Sequence, residues 1–360
     1  MAGGTETIVA VATPPGRGAV GVVRLSGPEA EGIAASCLRW NRGVPPPRTL
    51  ARGRFLGPGG ELLDEVLAVR FPGPGSYTGE DVVEIHAHGA PVVLEAMVRA
   101  LVAAGARPAR PGEFTERAFL NGKLDLTQAE AVQALVAARS EAAARLARRL
   151  LAGELGAEAR RLQEALTAVE AEVEAAIDFP EEEIDAAGGE ALAARLAPVA
   201  EAVDRLLAGH GAARHRLEGV RVVLVGAVNA GKSSLFNRLV EHERAIVTPE
   251  PGTTRDYLEQ AVAWEGLEVR LVDTAGLREA VGAAERAGIA RSRAEVEQAD
   301  LLLHVVDATA PEAPPELPER PTLVVWNKID LGPPPPPAGL GEVVAASART
   351  GEGVGAVRGW

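Results

Sequence analysis

Lysine is nearly absent from this chain. Of 37 basic residues only Lys123, Lys232 and Lys328 are lysine, and the rest are arginine. Arginine is a broad planar fork and lysine a compact ammonium on a thin stem, so surviving lysines mark places where side-chain shape matters. Two of them lie in nucleotide-type motifs, GAVNAGKSS and NKID, which singles out Lys123 in RAFLNGKLDLTQAE as a third position of interest. Cysteine is scarcer still. The one thiol, Cys37, excludes an internal disulfide framework and a zinc ribbon and points to a reducing, cytoplasmic setting. No apolar run suits a membrane span, and MAGGTETIVAVATPPG lacks the basic and apolar regions of a signal peptide. Positive charge is in deficit too. A net charge of −13 excludes a broadly basic nucleic-acid binder, so any RNA contact must come from local arginine patches or a partner. Trp264, Trp326 and Trp360 are too scattered to build a base-stacking platform.

What is present is an ordinary globular composition, 47% hydrophobic and 24% charged, over 360 residues, enough for two or three domains. Three textures follow one another. Residues 1–120 carry short apolar runs punctuated by Pro and Gly (TIVAVAT, AVGVVRLSG, EVLAVRF, DVVEIHAHG), which read as strands, with a helix over PVVLEAMVRALVAAG. Residues 121–216 turn to Ala, Leu, Glu and Arg at helical spacing. Val132, Leu135 and Val136, then Leu146, Leu150 and Leu151, predict apolar stripes, and the acidic segment DFPEEEID breaks the helices. In residues 217–360, VRVVLVG, VRLVDTAG, LLLHVVDA, TLVVWNKID and EVVAAS alternate with helical stretches, the pattern of a parallel sheet wrapped by helices. The proline run at 333–337 reads as a stiff surface connector.

The chemistry starts at residues 226–233, GAVNAGKS, a G-x-x-x-x-G-K-S pattern that follows a strand and opens a helix. Backbone N–H groups of such a loop cradle a β-phosphate, and the helix N-terminus adds a favourable field. Lys232 would reach the β- and γ-oxygens and Ser233 would hold Mg²⁺. Alone the motif admits kinases and ATPases. Downstream, GTTRD at 252–256 offers Thr254 to the metal, and DTAG at 273–276 offers Asp273 and the Gly276 N–H. Asp330 of NKID can accept from guanine N1–H and the exocyclic amine, with Ser347 and Ala348 of SART closing on the base edge. An unpaired buried carboxylate opposite adenine would be costly, so the set selects GTP. Leu277 stands where Ras-like enzymes place a glutamine. That leaves either a nearly inert switch or another water-holder, Glu279 or Glu285, with a monovalent cation beside Asn229; loop geometry alone also explains Asn229.

TIVAVATPPGRGAVGVVRLSG, FPGPGSYTGEDVVEIHAHG, RPGEFTERAFLNGKLDLTQAEAV, AAIDFPEEEID and GAVNAGKSSLFN, with the spaced GTTRD, DTAGLRE, NKID and SARTGEG, resemble the bacterial tRNA-modification GTPase family MnmE (TrmE) over nearly the whole chain. The resemblance implies a multidomain α+β protein. Its parts would be a folate-binding-like, dimerising α/β domain (1–120), the first half of an α-helical domain (121–216) and a Ras-like P-loop G domain (217–360). Arg24, Glu84 and Lys123 match folate-binding positions for a 5-formyl- or methylene-tetrahydrofolate. Arg24 and Lys123 suit glutamyl carboxylates, and Glu84 suits the pterin amino group and ring N–H. Family members use K⁺, here at Asn229, Thr248, Glu250 and Thr253, and Mg²⁺, here at Ser233 and Thr254. The implied catalytic set is Glu285, Lys232 and Thr254. The implied nucleotide set is Asn229, Ala230, Gly231, Lys232, Ser233, Ser234, Thr248, Thr253, Thr254, Asp273, Thr274, Ala275, Gly276, Asn327, Lys328, Asp330, Ser347, Ala348 and Arg349. Partners would be GTP or GDP, a second copy, the FAD-dependent protein MnmG and tRNA, with no membrane.

Members of that family continue past the G domain, complete the helical domain and end in a cysteine motif. The sequence here stops at GEGVGAVRGW, so the helices of 127–215 are expected to expose an apolar stripe. A folate- and GTP-binding scaffold without modification activity, and a ribosome-assembly-type GTPase, are the alternative functions. Among lesser features, Glu84, His86 and His88 share one strand face but lack a fourth metal ligand, so pterin binding explains them better. Arg145, Arg148, Arg149, Arg160 and Arg161 read as a solvated helix face before a tRNA-facing strip, and Glu181, Glu182, Glu183 and Asp185 as a solvated acidic turn.

Overall fold

A computed structural model describes residues 6–178, 189–241, 259–274, 293–311, 317–334 and 341–360. The chain divides into two compact units, Met1–Gln133 with Leu150–Ala157, and Ala134–Arg149 with Glu158–Trp360. The expected site residues Thr248, Glu250, Thr253, Thr254, Ala275, Gly276 and Glu285 lie outside the described residues, as do Leu277, Glu279 and the acidic turn at 181–185.

The first unit is built on β1 (Ile8–Val11), β2 (Gly18–Ser26), α1 (Ala30–Cys37), β3 (Leu38–Trp40), β4 (Ala51–Leu56), β5 (Leu62–Phe71), β6 (Val82–Gly89), α2 (Pro91–Ala103), β7 (Arg107–Pro108) and α3 (Glu113–Leu120). The strands form one sheet in the order β3-β4-β5-β6-β2-β1-β7. Every pairing is antiparallel except β1 with β7. Period-two alternation sends Val23, Leu25, Phe55 and Ile85 into a core shared with Met97 and Leu101 of α2. Pro91 opens α2 at a position where its missing N–H costs nothing. The helix approaches β2 closely: a Cβ on Gly21 would lie 2.4 Å from Leu94 Cδ1, so a larger residue there would have to displace the Leu94 side chain. The opposite sheet face carries Val20, Val22 and Arg24 beside His88, His86 and Glu84 of β6.

Four helices follow: α4 (Leu126–Ala137), α5 (Glu141–Leu151), α6 (Glu154–Asp178) and α7 (Gly189–Glu218). The apolar stripe expected over Val132–Leu151 is only partly covered. Val136 is 85% exposed and the leucines at 135, 146, 150 and 151 are only half-buried, while Ala131, Ala143 and Ala147 are fully covered. A short side chain disappears under a close neighbour, whereas a leucine at the margin keeps part of its surface in water. On α6 and α7, Leu166, Ile177, Leu206 and Leu207 stand exposed, in line with the expected uncovered apolar face.

The second unit's sheet uses β8 (Val220–Val225), β9 (Glu259–Trp264), β10 (Leu267–Asp273), β11 (Leu301–Asp307), β12 (Thr322–Asn327) and β13 (Glu342–Ala345), with helices α8 (Lys232–Glu241) and α9 (Val354–Gly359). Its order is β13-β12-β11-β8-β10-β9. All pairings are parallel but one: β9 turns back on β10 through Glu265 and Gly266, both at positive φ, a two-residue hairpin turn. Apolar residues cover both faces. Leu224, Val305 and Val325 meet Leu235 and Leu239 of α8, while Val223, Leu302 and Val306 line the reverse side. That explains the near-continuous apolar character of these strands. The parallel strands end along one edge, at Val225, Asp273, Asp307, Asn327 and Ala345, and the chemistry-bearing loops leave from it.

Candidate functional site

β8 passes into α8 through residues 226–231. A Cβ on Gly226 would lie 2.1 Å from the Val305 carbonyl oxygen, and one on Gly231, at φ 91°, would lie 2.2 Å from Asn327 Nδ2. Both glycines are therefore dictated by their neighbours. Asn229 is exposed at φ 64°, a left-handed backbone that asparagine tolerates. Lys232 is buried, and its Nζ donates to the carbonyls of Gly226 (2.9 Å) and Ala227 (2.6 Å). Ser233 and Ser234 follow it, exposed, in the first turn of α8. Asp273 ends β10 in a buried position, and Thr274 Oγ1 donates to the Leu224 carbonyl at 2.7 Å.

Asn327, 1% exposed at the end of β12, links two loops. Its Nδ2 donates to the Ala230 carbonyl at 2.9 Å, and its Oδ1 accepts from the Ala348 N–H at 3.0 Å. The amide is thus committed to protein partners on either side of the cleft. Arg238 of α8 adds a second tie, donating to the carbonyls of Ala348 (3.0 Å) and Arg349 (2.6 Å). Asp330 Oδ1 accepts from the buried Ser347 hydroxyl at 2.7 Å, which in turn accepts from Thr350 N–H. Arg349 Nη1 stands 3.9 Å from Asp330 Oδ2. The loops at 226–233, 327–330 and 347–349 therefore form one hydrogen-bonded frame.

Sequence reasoning missed Asp307. Its Oδ2 lies 2.6 Å from Lys328 Nζ, and its Oδ1 accepts from the N–H and hydroxyl of Thr309. The ammonium, and then the Thr309 donors, hold its carboxyl down at about 2. Lys328 itself is at φ 67°. The aspartate ends a strand 21 residues before the lysine, so only the parallel β11–β12 register brings them together.

In the first unit, Arg24 and Glu84 face each other across β2 and β6, with Nε and Nη2 at 2.8 and 2.7 Å from Glu84 Oε1. The guanidinium and carboxylate assigned by sequence to different ends of a folate are ion-paired with each other. Tyr77 and Phe114 lay their rings over the guanidinium at 5.8 and 5.6 Å, a cation–π arrangement. Glu84 Oε2 is approached by His86 Nε2 at 3.7 Å. Lys123 Nζ donates to the Pro74 carbonyl at 3.0 Å, so the 72–81 loop meets Lys123 at one end and covers Arg24 at the other. His88 Nδ1 sits 2.8 Å from Asp64 Oδ1. Among the described residues no group of three or more His, Cys, Asp and Glu could hold a metal.

Behind this pair runs a buried ladder of polar residues that sequence reasoning also missed. Ser26 meets Thr78 and Glu80, Glu80 meets Arg117 at 2.9 Å, and Arg117 meets Glu113 at 3.3 Å. Glu113 in turn pairs with Arg107 at 2.6 Å, and Arg107 with Glu6. Hydrogen bonding from Arg107, the Arg110 N–H and Arg117 outweighs burial and holds the Glu113 carboxyl at about 2. Thr78, Glu80, Arg110, Glu113 and Arg117 belong to the blocks SYTGED and RPGEFTER, whose density of polar side chains was the available signal, whereas Glu6, Ser26 and Arg107 lie outside them. The five arginines of the helical region behave as a solvated face, with Arg145 and Arg161 pairing locally with Glu141 and Glu158.

A mostly parallel sheet with a G-x-x-x-x-G-K-S loop after β8, and NKID and SART loops joined at its edge, defines a P-loop GTPase unit. A family model described as 50S ribosome-binding GTPase matches residues 221–328, and one described as GTP-binding protein TrmE N-terminus matches residues 7–123. The tRNA modification GTPase MnmE of Alkalilimnicola ehrlichii is 46% identical over 359 residues, covering 98% of this chain and 80% of that protein. Its counterpart in Thermus thermophilus is 47% identical, covering 97% and 80%. The chain belongs to the MnmE family of tRNA modification GTPases. Among solved structures, the G domain of the T. maritima FeoB iron transporter is 27% identical over 39% of this chain and 94% of its own, at a TM-score of 0.27. No described helix is long and apolar enough to cross a membrane.

Proposed function

We propose that this chain is a K⁺-stimulated GTPase of tRNA wobble-uridine modification, acting in the cytoplasm as a homodimer with an FAD-dependent MnmG-type partner and a formyl- or methylene-tetrahydrofolate donor. In this reading residues 1–120 bind folate and dimerise, 121–216 form a helical domain and 217–360 a G domain. The observation that carries it is the Asn327 bridge, which sets the phosphate-type loop and the Asp330–Ser347 pair in one frame. Asp330 and the 347–349 loop read the guanine edge, while Lys232 leaves the loop carbonyls for the phosphates. Ser233 and Thr254 would hold Mg²⁺, whose charge offsets that of the β- and γ-phosphates. The exposed, hard-oxygen-bearing Asn229 suits K⁺, with Thr248, Glu250 and Thr253, and Glu285 orients water.

The folate reading draws on a fit of chemistry. Glu84 Oε2 keeps acceptor capacity toward an amino-pyrimidinone edge, Tyr77 and Phe114 provide flat apolar surface, and Lys123 is exposed for a carboxylate. Family membership favours tRNA modification over ribosome assembly, because the relatives match across the N-terminal blocks as well as the G domain. The test is phosphate release from GTP and ATP in KCl and in NaCl. GTP should be hydrolysed, ATP should not, and KCl should accelerate the rate several-fold. Equal rates in both salts remove the Asn229 assignment, and equal rates with both nucleotides remove the Asp330 assignment.

A further inference from the structure

One part of this acidic protein is locally basic. On β3 and β4, Arg39 and Arg54 stand directly opposite each other in register, with Arg52 two residues along the same face. All three are exposed, as is Arg42 in the turn that follows β3. The reverse face carries the buried Leu38 and Phe55, so the arginines have no route inward. Like charges directly opposed across a strand pair destabilise the sheet, yet here they occupy its edge. One carboxylate lies among them: Glu65 pairs with Arg52 and stands opposite Arg54 in the β4–β5 register, while Arg39, Arg42 and Arg54 form no ion pair among the described residues. Asp64 is taken by the ring and N–H of His88. Arg39 donates only to the carbonyls of Ala35 and Leu38.

The geometry points to the β3–β4 edge as the surface that grips the phosphate backbone of RNA. In a chain whose net charge is −13, a concentrated cationic face is the part of this unit to which a polyanion would be drawn. Arginine's planar fork suits paired phosphate oxygens. A second copy laid on the same face would set arginine against arginine, which argues against self-association there. The choice of RNA over other polyanions rests on the tRNA-modification reading, whose own test is hydrolysis and is independent of this one.

The experiment is fluorescence anisotropy of labelled tRNA transcript titrated with the full chain at about 50 to 200 mM KCl. The double variant Arg39→Gln/Arg54→Gln should bind about tenfold more weakly at the low salt. Its plot of log affinity against log salt should be shallower by about two, one per lost phosphate contact. Basal GTP hydrolysis and the thermal unfolding profile followed by circular dichroism should match the parent chain, which confirms that both units are folded, and Arg145→Gln/Arg148→Gln should leave the slope unchanged. An unchanged slope in the β3–β4 variant means the arginines only guard a sheet edge, and overturns the proposal. So does an equal loss in the helix variant, an absence of tRNA binding by the parent chain, or a changed sedimentation coefficient with the slope intact.

Discussion

Replacing Asn327 with alanine removes one side chain and orphans two backbone groups. The Ala348 N–H loses its acceptor and the Ala230 carbonyl its donor, both beside a residue that is 1% exposed. An unsatisfied buried polar group costs about 1–3 kcal/mol. Water entering the vacated volume recovers part of this, leaving a net loss of about 2–4 kcal/mol. For a unit of this size each kcal/mol lowers the melting temperature by about 2–4 °C, so a drop of about 5–15 °C is expected. The transition can be followed by calorimetry and by the fluorescence of Trp326, buried next door. GDP gives a second readout. At about 100 times its dissociation constant it adds about 2.7 kcal/mol to the parent chain. If the unbridged loops weaken binding about 100-fold, the same GDP adds only about 0.4 kcal/mol. The ligand-induced shift should therefore nearly vanish. Asn327→Asp should be as damaging, because it sets a carboxylate oxygen against the Ala230 carbonyl. A variant melting within about 1 °C of the parent, with the full GDP shift, would refute the bridge as the frame of the cleft.

Asp330→Asn should weaken GTP by about 100-fold and favour xanthosine triphosphate, whose 2-oxo group accepts from the new amide; competition binding that still prefers GTP contradicts the assignment. Gly231→Ala pushes a methyl into Asn327 Nδ2 at a left-handed backbone angle, and should cost at least about 2 kcal/mol by denaturant titration, with GDP affinity lost in parallel. Acid should act through Glu113 and Asp307, whose carboxyls are lowered from 4.5 and 3.8 to about 2. The unfolded chain binds more protons in that window, so their stabilisation is complete above about pH 5 and fades as pH falls toward 2. Glu113→Gln should flatten the acid limb of the first unit's stability curve, and an unaltered limb would show that the ladder does not contribute.

The second sheet was legible because strands buried on both faces read as apolar runs, and the loops at their ends carry fixed spacings. β9 escaped because EQAVAW is short and half-polar, and its antiparallel return depends on a two-residue turn. β4 escaped for a different reason: ARGRFL alternates arginine with the residues that enter the core, so its mean hydropathy is low although Phe55 is fully buried. α3 buries Glu113 and Arg117, and no hydropathy pattern foretells a charge that is buried because a partner from another segment satisfies it. Lys232 and Asp330 were readable from local motifs. Asp307 and the Arg24–Glu84 pair were not, since each depends on strand register.

The place of β1 in its sheet has a consequence for how the protein is made. β1 pairs on one side with β2, available almost at once, and on the other with Arg107 and Pro108, which the ribosome adds about a hundred residues later. At translation speeds of about 5–20 residues per second, the nascent sheet carries a bare margin for about 5–20 s. Only when the segment bearing Arg107 and Arg117 emerges can Glu6 and Glu80 be neutralised. Until then the newborn sheet keeps the outer edge of β1 unpaired, open to pairing with another chain.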